Sequence, residues 1–356
     1  MKILLFGEYS ALHKNLQEGL KDLGYDSKLV SSGDGYKRIP SDISLSVGSR
    51  NIFGKMKTRI EPLFHLPSFN NFDVVQLMSP YFLKYKFFPA TLYYELLKKF
   101  NKRFFVLAAG SDPYFWRYAK QRMRYGPFED NLKYDIKKEI SPFLSTNDFI
   151  FNEKVVGYSD GIIAGTVEGF LSYEGHPNLI SSIPIPINTD KIKYQENVVK
   201  GKLKVFHGLS RYGFKGTRHV EKAFQVLSEK YPNDLELIIN GRMPLEEYLK
   251  ILKTSNVVID QTSTYGLGVN GIYSLAMGKV VLGGAEPEDL SFLKVKKTPV
   301  INILPDYKSI VNNVERLLEK KDEIQSLGYQ SRLFAEKVHG HRVIAQKYLD
   351  LWQKHL

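Results

Sequence analysis

The stretch that decides the fold begins at Val205 and reads VFHGLSRYGFKGT up to Thr217. An apolar strand pattern leads into a glycine-containing loop, and the loop leads into the start of a helix. Two cations, Arg211 and Lys215, lie in the loop. Arginine offers phosphate oxygens a planar fork of donors, lysine adds a compact charge, and a helix N-terminus adds free amide groups. This pattern predicts a diphosphate site; the alternative is two ordinary surface cations beside a turn.

A second strand–loop–helix unit spans residues 257–279 and reads VVIDQTSTYGLGVNGIYSLAMGK. Gly266, Gly268 and Gly271 spell G-x-G-x-x-G, and Glu286 follows the next strand, as in a dinucleotide-binding loop. We discount that interpretation, because the first glycine trails the strand by a loop and the unit does not open its domain. The amides at this helix start are still well placed for an anion.

Outward from these two units, apolar runs alternate with helical patterns along the chain, which predicts βα units and parallel sheets. Strands are expected at 2–6, 27–30, 73–78, 104–108 and 161–164, and again at 203–207, 235–239, 257–260, 279–282 and 300–303. Helices are expected at 216–230, 244–254, 269–277 and 307–319, with a first helix that is capped by Ser10 and ends at Gly24.

The length of 356 residues predicts two domains at roughly 150 residues each. Two prolines make the segment 183–188 an extended connector, so we place domains at 1–188 and 189–335, with a helical tail at 336–356. The expected fold class is α/β, with two Rossmann-like parallel-sheet domains facing a central cleft. The tail is expected to pack back on the first domain.

Composition excludes several classes of protein. The chain has no cysteine, so it has no disulfide framework and no thiolate metal site. No apolar run approaches the ~20 residues that span a bilayer, and the N-terminal apolar run is too short for a signal peptide. We therefore expect a cytoplasmic protein. The absence of HExxH, P-loop and G-x-S-x-G patterns gives no sign of zinc, P-loop or hydrolase chemistry.

The net charge of +12 attracts polyanions such as diphosphates, anionic lipids or nucleic acid, although a solvated basic surface is the alternative. Basic and aromatic residues are mixed at 84–88, 98–105 and 116–122. Such mixtures are typical of a membrane-surface segment or of amphipathic helices packed on a sheet, and we favour packing for most of them.

Two more strand ends carry polar residues. The segment Phe6–Ser10 follows the first strand, and Leu107–Pro113 follows another. Asp112 is a candidate for hydrogen bonding to a sugar or acceptor hydroxyl, and the alternative is a turn or N-cap role before Pro113. His13, near the start of the first helix, is a candidate base, but a lone histidine is more often structural.

These motifs and their order resemble the retaining glycosyltransferases of family 4, which have the GT-B fold. The likeness covers most of the chain and is strongest in the C-terminal half. The stretch Gly208–Gly216 is similar to that family's Arg…Lys-Gly diphosphate site, and Gly266–Asn270 is similar to its glycine-rich segment. The helix end at Leu275–Lys279 resembles the family's Ala-Met-x-Gly-Lys.

In the first half, Gly7–Ser10 with His13 resembles the family's N-terminal loop and helix, and Gly110-Ser111-Asp112 resembles a turn that a histidine often precedes, where this chain has Ala109. The resemblance implies catalytic roles for Arg211, Lys215 and Asp112, and no metal site. The implied donor-binding residues are Gly7, Glu8, Tyr9, Ser210, Gly241, Arg242, Tyr265, Gly266, Leu267, Gly268, Val269, Asn270 and Tyr273. The implied acceptor residues are Ser10, His13 and Ser111.

One departure from the family concerns two glutamates that usually flank the glycine-rich segment and contact the donor sugar and the ribose. Tyr265 and Tyr273 stand at the matching positions. A tyrosine hydroxyl hydrogen-bonds a sugar or ribose but carries no charge at pH 7.

The resemblance implies a hexosyltransferase that moves a sugar, with retention, from a nucleotide sugar of the UDP type to a glycan or polyprenyl-linked acceptor in surface polysaccharide biosynthesis. It implies no cofactor, no metal and no nucleic acid, and a peripheral position on the inner membrane face. Closure of the two domains would exclude water from the donor. The alternatives are an epimerase or phosphorylase on the same fold, or a non-enzymatic polyanion binder.

Overall fold

The computed structural model describes residues 1–45, 52–136, 143–241 and 245–356. The chain forms two compact units, each built on a parallel β-sheet, as the alternation of strands and helices predicts. Unit 1 consists of Met1–Arg117, Phe143–Asn188 and His341–Leu356. Unit 2 consists of Tyr118–Pro142 and Thr189–Gly340.

Unit 1 contains a seven-stranded parallel sheet in the order β3-β2-β1-β4-β5-β6-β7. Its strands are β1 (Lys2–Phe6), β2 (Asp26–Ser31), β3 (Ile43–Ser44), β4 (Val74–Leu77), β5 (Arg103–Ala108), β6 (Gly161–Ala164) and β7 (Leu179–Ser182). The strand order reverses beside β1, which pairs with both β2 and β4. In such sheets, ligands bind beyond the carboxyl ends of the strands at this reversal.

Helices are numbered along the whole chain. Those of unit 1 are α1 (Leu12–Asp22), α2 (Ile52–His65), α3 (Ala90–Lys99), α6 (Thr146–Gly157), α7 (Val167–Tyr173) and α14 (His341–His355). The tail prediction is confirmed, because α14 packs against α1 and buries Tyr348, Leu349 and Trp352 in the core of unit 1. A Cβ on Gly19 would lie 2.3 Å from the carbonyl oxygen of His341, so only glycine allows this approach.

The prediction that Ser10 caps α1 is wrong. The N-cap residue is Ala11, which makes no side-chain cap and has a left-handed backbone with φ of 64°. The Ser10 hydroxyl accepts a hydrogen bond from Lys37 Nζ at 2.7 Å instead. The side chain of Glu8 binds a free amide at the helix start instead, because its Oε2 accepts from the amide of Lys14 at 2.8 Å.

Unit 2 contains a five-stranded parallel sheet in the order β12-β11-β10-β8-β9. Its strands are β8 (Leu203–Leu209), β9 (Leu235–Gly241), β10 (Val257–Ile259), β11 (Val280–Gly283) and β12 (Ile301–Asn302). Its helices are α4 (Lys120–Arg122), α5 (Phe128–Asp130), α8 (Thr217–Lys230), α9 (Leu245–Thr254), α10 (Val269–Met277), α11 (Pro287–Leu293), α12 (Tyr307–Glu319) and α13 (Ile324–Phe334). The strands β8 and β10 are almost wholly buried and form the core with the apolar faces of α8 and α12.

The segment 118–142 belongs to unit 2, whereas the predicted boundary after residue 188 places it in the first domain. Hydrogen bonds, ion pairs and ring contacts join this segment to unit 2. Such contacts produce no hydrophobic periodicity in the sequence, so the sequence does not predict them. The segment therefore lies among the candidate site residues described below.

No helix among the residues described combines the length and the apolar character needed to cross a membrane.

Candidate functional site

The loop between β8 and α8 is a compact turn that carries both predicted cations. The amide of Lys215 donates to the carbonyl of Arg211 at 3.0 Å, and the amide of Thr217 donates to the carbonyl of Tyr212 at 3.0 Å. Gly216 has φ of +65°, and a Cβ there would lie 2.0 Å from Thr262 Oγ1. A side chain at this position would strain the backbone and displace the neighbouring loop.

A buried histidine fixes this loop to the sheet. His207 lies in β8, with Nδ1 2.9 Å from the carbonyl of Ile259 and Nε2 3.0 Å from Thr217 Oγ1. Burial lowers the pKa of His207 to about 4, so the imidazole is neutral at pH 7. With Nδ1 donating to the carbonyl, Nε2 accepts from the hydroxyl, which ties β8, β10 and the start of α8 together.

Lys215 points to a carboxylate that the sequence analysis did not assign to the site. Its Nζ lies 3.2 Å from Asp260 Oδ1, and both side chains are buried. The other oxygen, Asp260 Oδ2, accepts from the amide of Gly268 at 2.7 Å, directly before α10. One carboxylate therefore joins the lysine of the first motif to the helix start of the second.

Arg211 differs from Lys215 in its surroundings. Its side chain is exposed, and its guanidinium carbon lies 3.6 Å from the centroid of the Phe214 ring. In the described part of the chain, no carboxylate forms an ion pair with Arg211. A cation stacked on an aromatic face keeps its donors available to a phosphate.

The start of α10 presents a polar side chain toward the end of β8. Asn270 Oδ1 accepts a hydrogen bond from the Tyr248 hydroxyl, and Asn270 Nδ2 is buried without a partner among the described residues. A Cβ on Gly208 would lie 3.1 Å from the Tyr248 hydroxyl and 3.5 Å from Asn270 Nδ2. The glycine thus leaves space beside an unsatisfied amide donor, and such a donor favours an incoming acceptor oxygen.

The two tyrosines at the expected glutamate positions have different environments. Tyr265 is fully buried, and its hydroxyl accepts from the amide of Arg124 at 2.5 Å. The Arg124 guanidinium carbon lies 5.2 Å from the centroid of the Tyr265 ring. Tyr273 lies half-buried on α10, where burial raises the pKa of its hydroxyl. The Tyr265 hydroxyl is thus hydrogen-bonded to the segment 118–142, whereas the Tyr273 side chain is more exposed to solvent.

Glu286 organises the same corner of unit 2. It accepts from Arg124 at 2.5 Å, from the Tyr125 hydroxyl at 2.7 Å and from the Asn302 side chain at 2.8 Å. Beside the first loop, the carboxylate of Asp135 accepts from the amide of Phe214 at 2.7 Å. The segment 118–142 therefore contacts both glycine-rich loops, although its sequence carries no recognisable motif.

The remaining donor candidates of unit 2 that the structure describes lie at the same carboxyl end of the sheet. Gly241 pairs in register with Leu209, where a Cβ would lie 1.7 Å from the Leu209 carbonyl oxygen. Ser210 is exposed, and Leu267 and Val269 are half-buried. The carbonyl of Gly266 accepts from Thr264 Oγ1 at 2.9 Å, which shapes the turn. Arg242 lies outside the described residues.

In unit 1, Glu8 and His13 lie together after β1. Burial raises the pKa of Glu8 to about 7, and its Oε1 has no hydrogen-bond partner among the described residues. The Nδ1 of His13 lies 2.8 Å from the carbonyl of Gly7, and burial lowers the pKa of His13 to about 4. The neutral ring thus presents an unprotonated Nε2, which has no partner in the described ranges.

His13 also lines a small cavity of about 10 Å³, room for about one water molecule, together with Tyr348. The remaining candidates of this loop are Tyr9, which is 38% exposed, and Ser10, whose amide donates to Asp34 at 2.8 Å. These residues are brought together at the carboxyl end of β1.

The environment of Asp112 fits the capping alternative. Its Oδ1 accepts from the amide of Phe115 at 2.8 Å, and its Oδ2 accepts from the Tyr173 hydroxyl at 2.6 Å. Burial raises the pKa of Asp112 to about 6. The neighbouring Ser111 hydroxyl is buried and has no partner among the residues described. Both oxygens of Asp112 are thus used by the protein itself.

No protein-family model matches the chain, and no curated protein matches its sequence. Solved structures match it over nearly the whole length. Sucrose-phosphate synthase from Thermosynechococcus elongatus has a TM-score of 0.64 at 13% identity, with 99% of each chain covered. HepE from Anabaena, solved in complex with UDP and glucose, has a TM-score of 0.62 at 11% identity, with 99% of each chain covered.

The UDP-GlcNAc 2-epimerase from Neisseria meningitidis, solved with UDP-GlcNAc bound, is also similar, with a TM-score of 0.56 at 13% identity. The match covers 99% of this chain and 100% of the epimerase. At such identities the likeness shows the fold, and the chain has the GT-B fold, with two Rossmann-like units.

Proposed function

We propose that the chain is a glycosyltransferase that moves a sugar from a nucleoside-diphosphate sugar, of the UDP type, to a hydroxyl of a glycan or polyprenyl-linked acceptor. The single observation that carries the proposal is the pairing of Lys215 with the start of α10 through Asp260, together with the Arg211 guanidinium, which forms no ion pair with the described residues. Glycosyltransferase, synthase and epimerase structures with the same fold support a nucleotide-sugar substrate.

In the proposed reaction, the bond between the anomeric carbon and the diphosphate oxygen breaks, and the acceptor oxygen bonds to that carbon. The leaving diphosphate gains negative charge as it departs. Arg211, Lys215 and the amides at the start of α10 would stabilise that charge, and they are fixed before the reaction begins. Because these cations fill the electrostatic role, we propose that the reaction requires no metal.

The diphosphate would interact with Lys215 in competition with Asp260, which now holds its Nζ. The Asn270 amide, which has no partner among the described residues, and the half-buried Tyr273 hydroxyl also lie on α10, and we assign them to the donor sugar or ribose. Tyr265 would act by fixing the loop rather than by touching the donor, since its hydroxyl is bound to Arg124.

The acceptor would bind at the carboxyl end of β1, where Glu8 and His13 each present an atom with no hydrogen-bond partner among the described residues. In retaining transfer, the leaving phosphate oxygen takes the acceptor proton, and no side-chain base is required. We propose that the pathway builds a surface polysaccharide on the inner membrane face and that the outcome is retention.

An epimerase is the second candidate, and the similarity to UDP-GlcNAc 2-epimerases favours it. The two functions differ in their need for an acceptor. A transferase releases nucleoside diphosphate only as the acceptor is glycosylated, whereas an epimerase alters the sugar without an acceptor.

The test incubates the protein with UDP-, GDP- and ADP-sugars, with and without polyprenyl-linked acceptors, and follows the products by ³¹P NMR and mass spectrometry. Acceptor-dependent release of UDP supports the proposal, and an isomerised UDP-sugar without acceptor supports the epimerase. Arg211→Ala should abolish turnover, and Arg316→Ala, another exposed arginine of unit 2, should preserve it. Absence of any turnover with every donor would contradict both.

A further inference from the structure

Helix α2 of unit 1 carries an apolar face on the side that points away from the protein. Met56, Ile60, Leu63 and Phe64 recur at the spacing of one helical face, and all four are exposed. The opposite face is the buried one, with Thr58 and Pro62 inside. Phe64 is 78% exposed, although a phenylalanine gains more than most residues from burial.

A loop of the same unit extends this face with another aromatic ring. Phe87 is 84% exposed, and the Arg59 guanidinium carbon of α2 lies 5.9 Å from its ring centroid. Its φ of +65° is rare for a bulky side chain. Phe88, the next residue, is buried, so the backbone at Phe87 directs one ring out and the other in.

Basic residues flank the apolar face. Lys55, Lys57 and Arg59 lie on α2, and Lys86 Nζ is 5.0 Å from the Phe87 ring centroid. The helix holds one carboxylate, Glu61, which is half-buried and has contacts of its own. An exposed apolar surface with cations at its margins is complementary to a bilayer whose headgroups are negative and whose interior is apolar.

We propose that α2 and Phe87 form a docking surface for an anionic lipid bilayer, which we call the α2 face and define as Met56, Ile60, Leu63, Phe64 and Phe87. The apolar side chains enter the region beneath the headgroups, and the flanking cations stay at headgroup level. The helix is anchored to unit 1 in part by the Tyr93 hydroxyl of α3, which donates to the carbonyl of Pro62 at 2.9 Å.

Phe87 belongs to the mixed basic and aromatic segment 84–88, whereas the other two mixed segments lie outside the α2 face. Phe104 and Phe105 are buried in β5, and Trp116 is buried as well, so these three rings pack inside unit 1. Charge alone would attract the protein to any polyanion, whereas the α2 face adds an apolar contact that a polyanion in water does not offer.

The experiment measures co-sedimentation of the full chain with vesicles of phosphatidylcholine alone and of phosphatidylcholine with 30% phosphatidylglycerol. No nucleotide sugar is added, so the result is independent of the proposed catalysis. The test variant is Phe64→Ser with Phe87→Ser. The matched control is Leu304→Ser with Tyr329→Ser, which removes two exposed apolar side chains from unit 2.

The expected result is binding to the anionic vesicles that falls at least tenfold in the Phe64/Phe87 variant and persists in the control, with unchanged circular dichroism and unfolding temperature for both. Failure of the wild-type protein to sediment with anionic vesicles at low salt would overturn the proposal. So would equal binding of the Phe64/Phe87 variant, which would indicate charge attraction alone. A dimer in light scattering that this variant dissociates, without vesicle binding, would assign the face to a second copy instead.

Discussion

Lys215 Nζ lies 3.2 Å from the carboxylate Oδ1 of Asp260, and both side chains are buried at the carboxyl end of the second sheet. Burying an unpaired charge costs free energy, so the lysine and the carboxylate each offset the cost of burying the other. The pair also explains how a lysine with few solvent contacts stays poised beside the start of α10, where Asp260 Oδ2 binds the amide of Gly268.

The first prediction concerns this pair. Lys215→Met leaves the Asp260 carboxylate buried and unpaired, and we expect it to lower the free energy of unfolding by about 3–5 kcal/mol. Lys215→Met combined with Asp260→Asn removes both charges while retaining an acceptor for Gly268, so the double variant should recover most of the lost stability. Urea denaturation measures both variants. Equal stability of Lys215→Met and the wild type would show that the ion pair is not buried as described.

The second prediction concerns the contact between the segment 118–142 and the first glycine-rich loop. A Cβ on Gly213 would lie 2.0 Å from the backbone oxygen of Asp130, so Gly213→Ala must push the segment away. We expect the free energy of unfolding to fall by about 2 kcal/mol or more and proteolysis between residues 118 and 136 to become faster. Gly157→Ala is the control, because no atom of the described residues lies within 4 Å of its added Cβ. An undisturbed digestion pattern in Gly213→Ala would refute the contact.

The strands were largely predictable from sequence. Residues 2–6 and 161–164 form strands over the predicted ranges, because continuous apolar runs are typical of parallel strands buried on both faces. The helices at 269–277 and 307–319 also have the predicted bounds. The predicted strands do not include β3, with two residues, or β7, whose residues are only half-buried, since neither carries a strong apolar signal.

The site was predictable only in part, and the reason is physical. Arg211 and Lys215 lie in one short loop, so local sequence shows them together. Asp260 joins them through a contact across 45 residues, and nothing in its own neighbourhood identifies it as a lysine partner. The segment 118–142 contacts unit 2 through polar groups spaced far apart in sequence, which hydrophobic periodicity does not report.

The third prediction separates the roles of two tyrosines. Tyr265→Phe loses the hydrogen bond from the Arg124 amide and leaves that donor unsatisfied, so stability should fall by about 1–3 kcal/mol while the affinity for UDP stays within threefold. Tyr273→Phe should leave stability within about 0.5 kcal/mol and weaken binding of the donor sugar. Thermal unfolding and calorimetric titration with a UDP-sugar measure both. The reverse assignment of effects would contradict the account.

The fourth prediction is a pH dependence. The pKa of Glu8 is about 7 in the folded chain and near 4.5 when exposed, so the folded state holds a proton that the unfolded state releases between these values. Stability therefore falls as pH rises from about 4.5 to 7 and is level above that range. Glu8→Gln removes this contribution.

We expect the stability of Glu8→Gln relative to the wild type to rise by about 3 kcal/mol between pH 5 and pH 8, from about 1.4 kcal/mol for each pKa unit. Glu18→Gln, a nearby carboxylate on α1 that is only partly buried, serves as the control. Parallel stability curves for Glu8→Gln and the wild type would show that the carboxyl titrates normally.

The central claim is that Arg211, Lys215 and the start of α10 hold a nucleoside diphosphate, and calorimetric titration with UDP tests it most directly. Arg211 is exposed and forms no ion pair with the described residues, so Arg211→Ala should preserve the fold. The account predicts that the wild type binds UDP and that Arg211→Ala raises the Kd about 10- to 100-fold, because one or two charge-assisted hydrogen bonds are lost. Arg316→Ala should bind like the wild type. Equal affinity in Arg211→Ala, or no binding of UDP, GDP or ADP to the wild type at millimolar concentration, would contradict the claim.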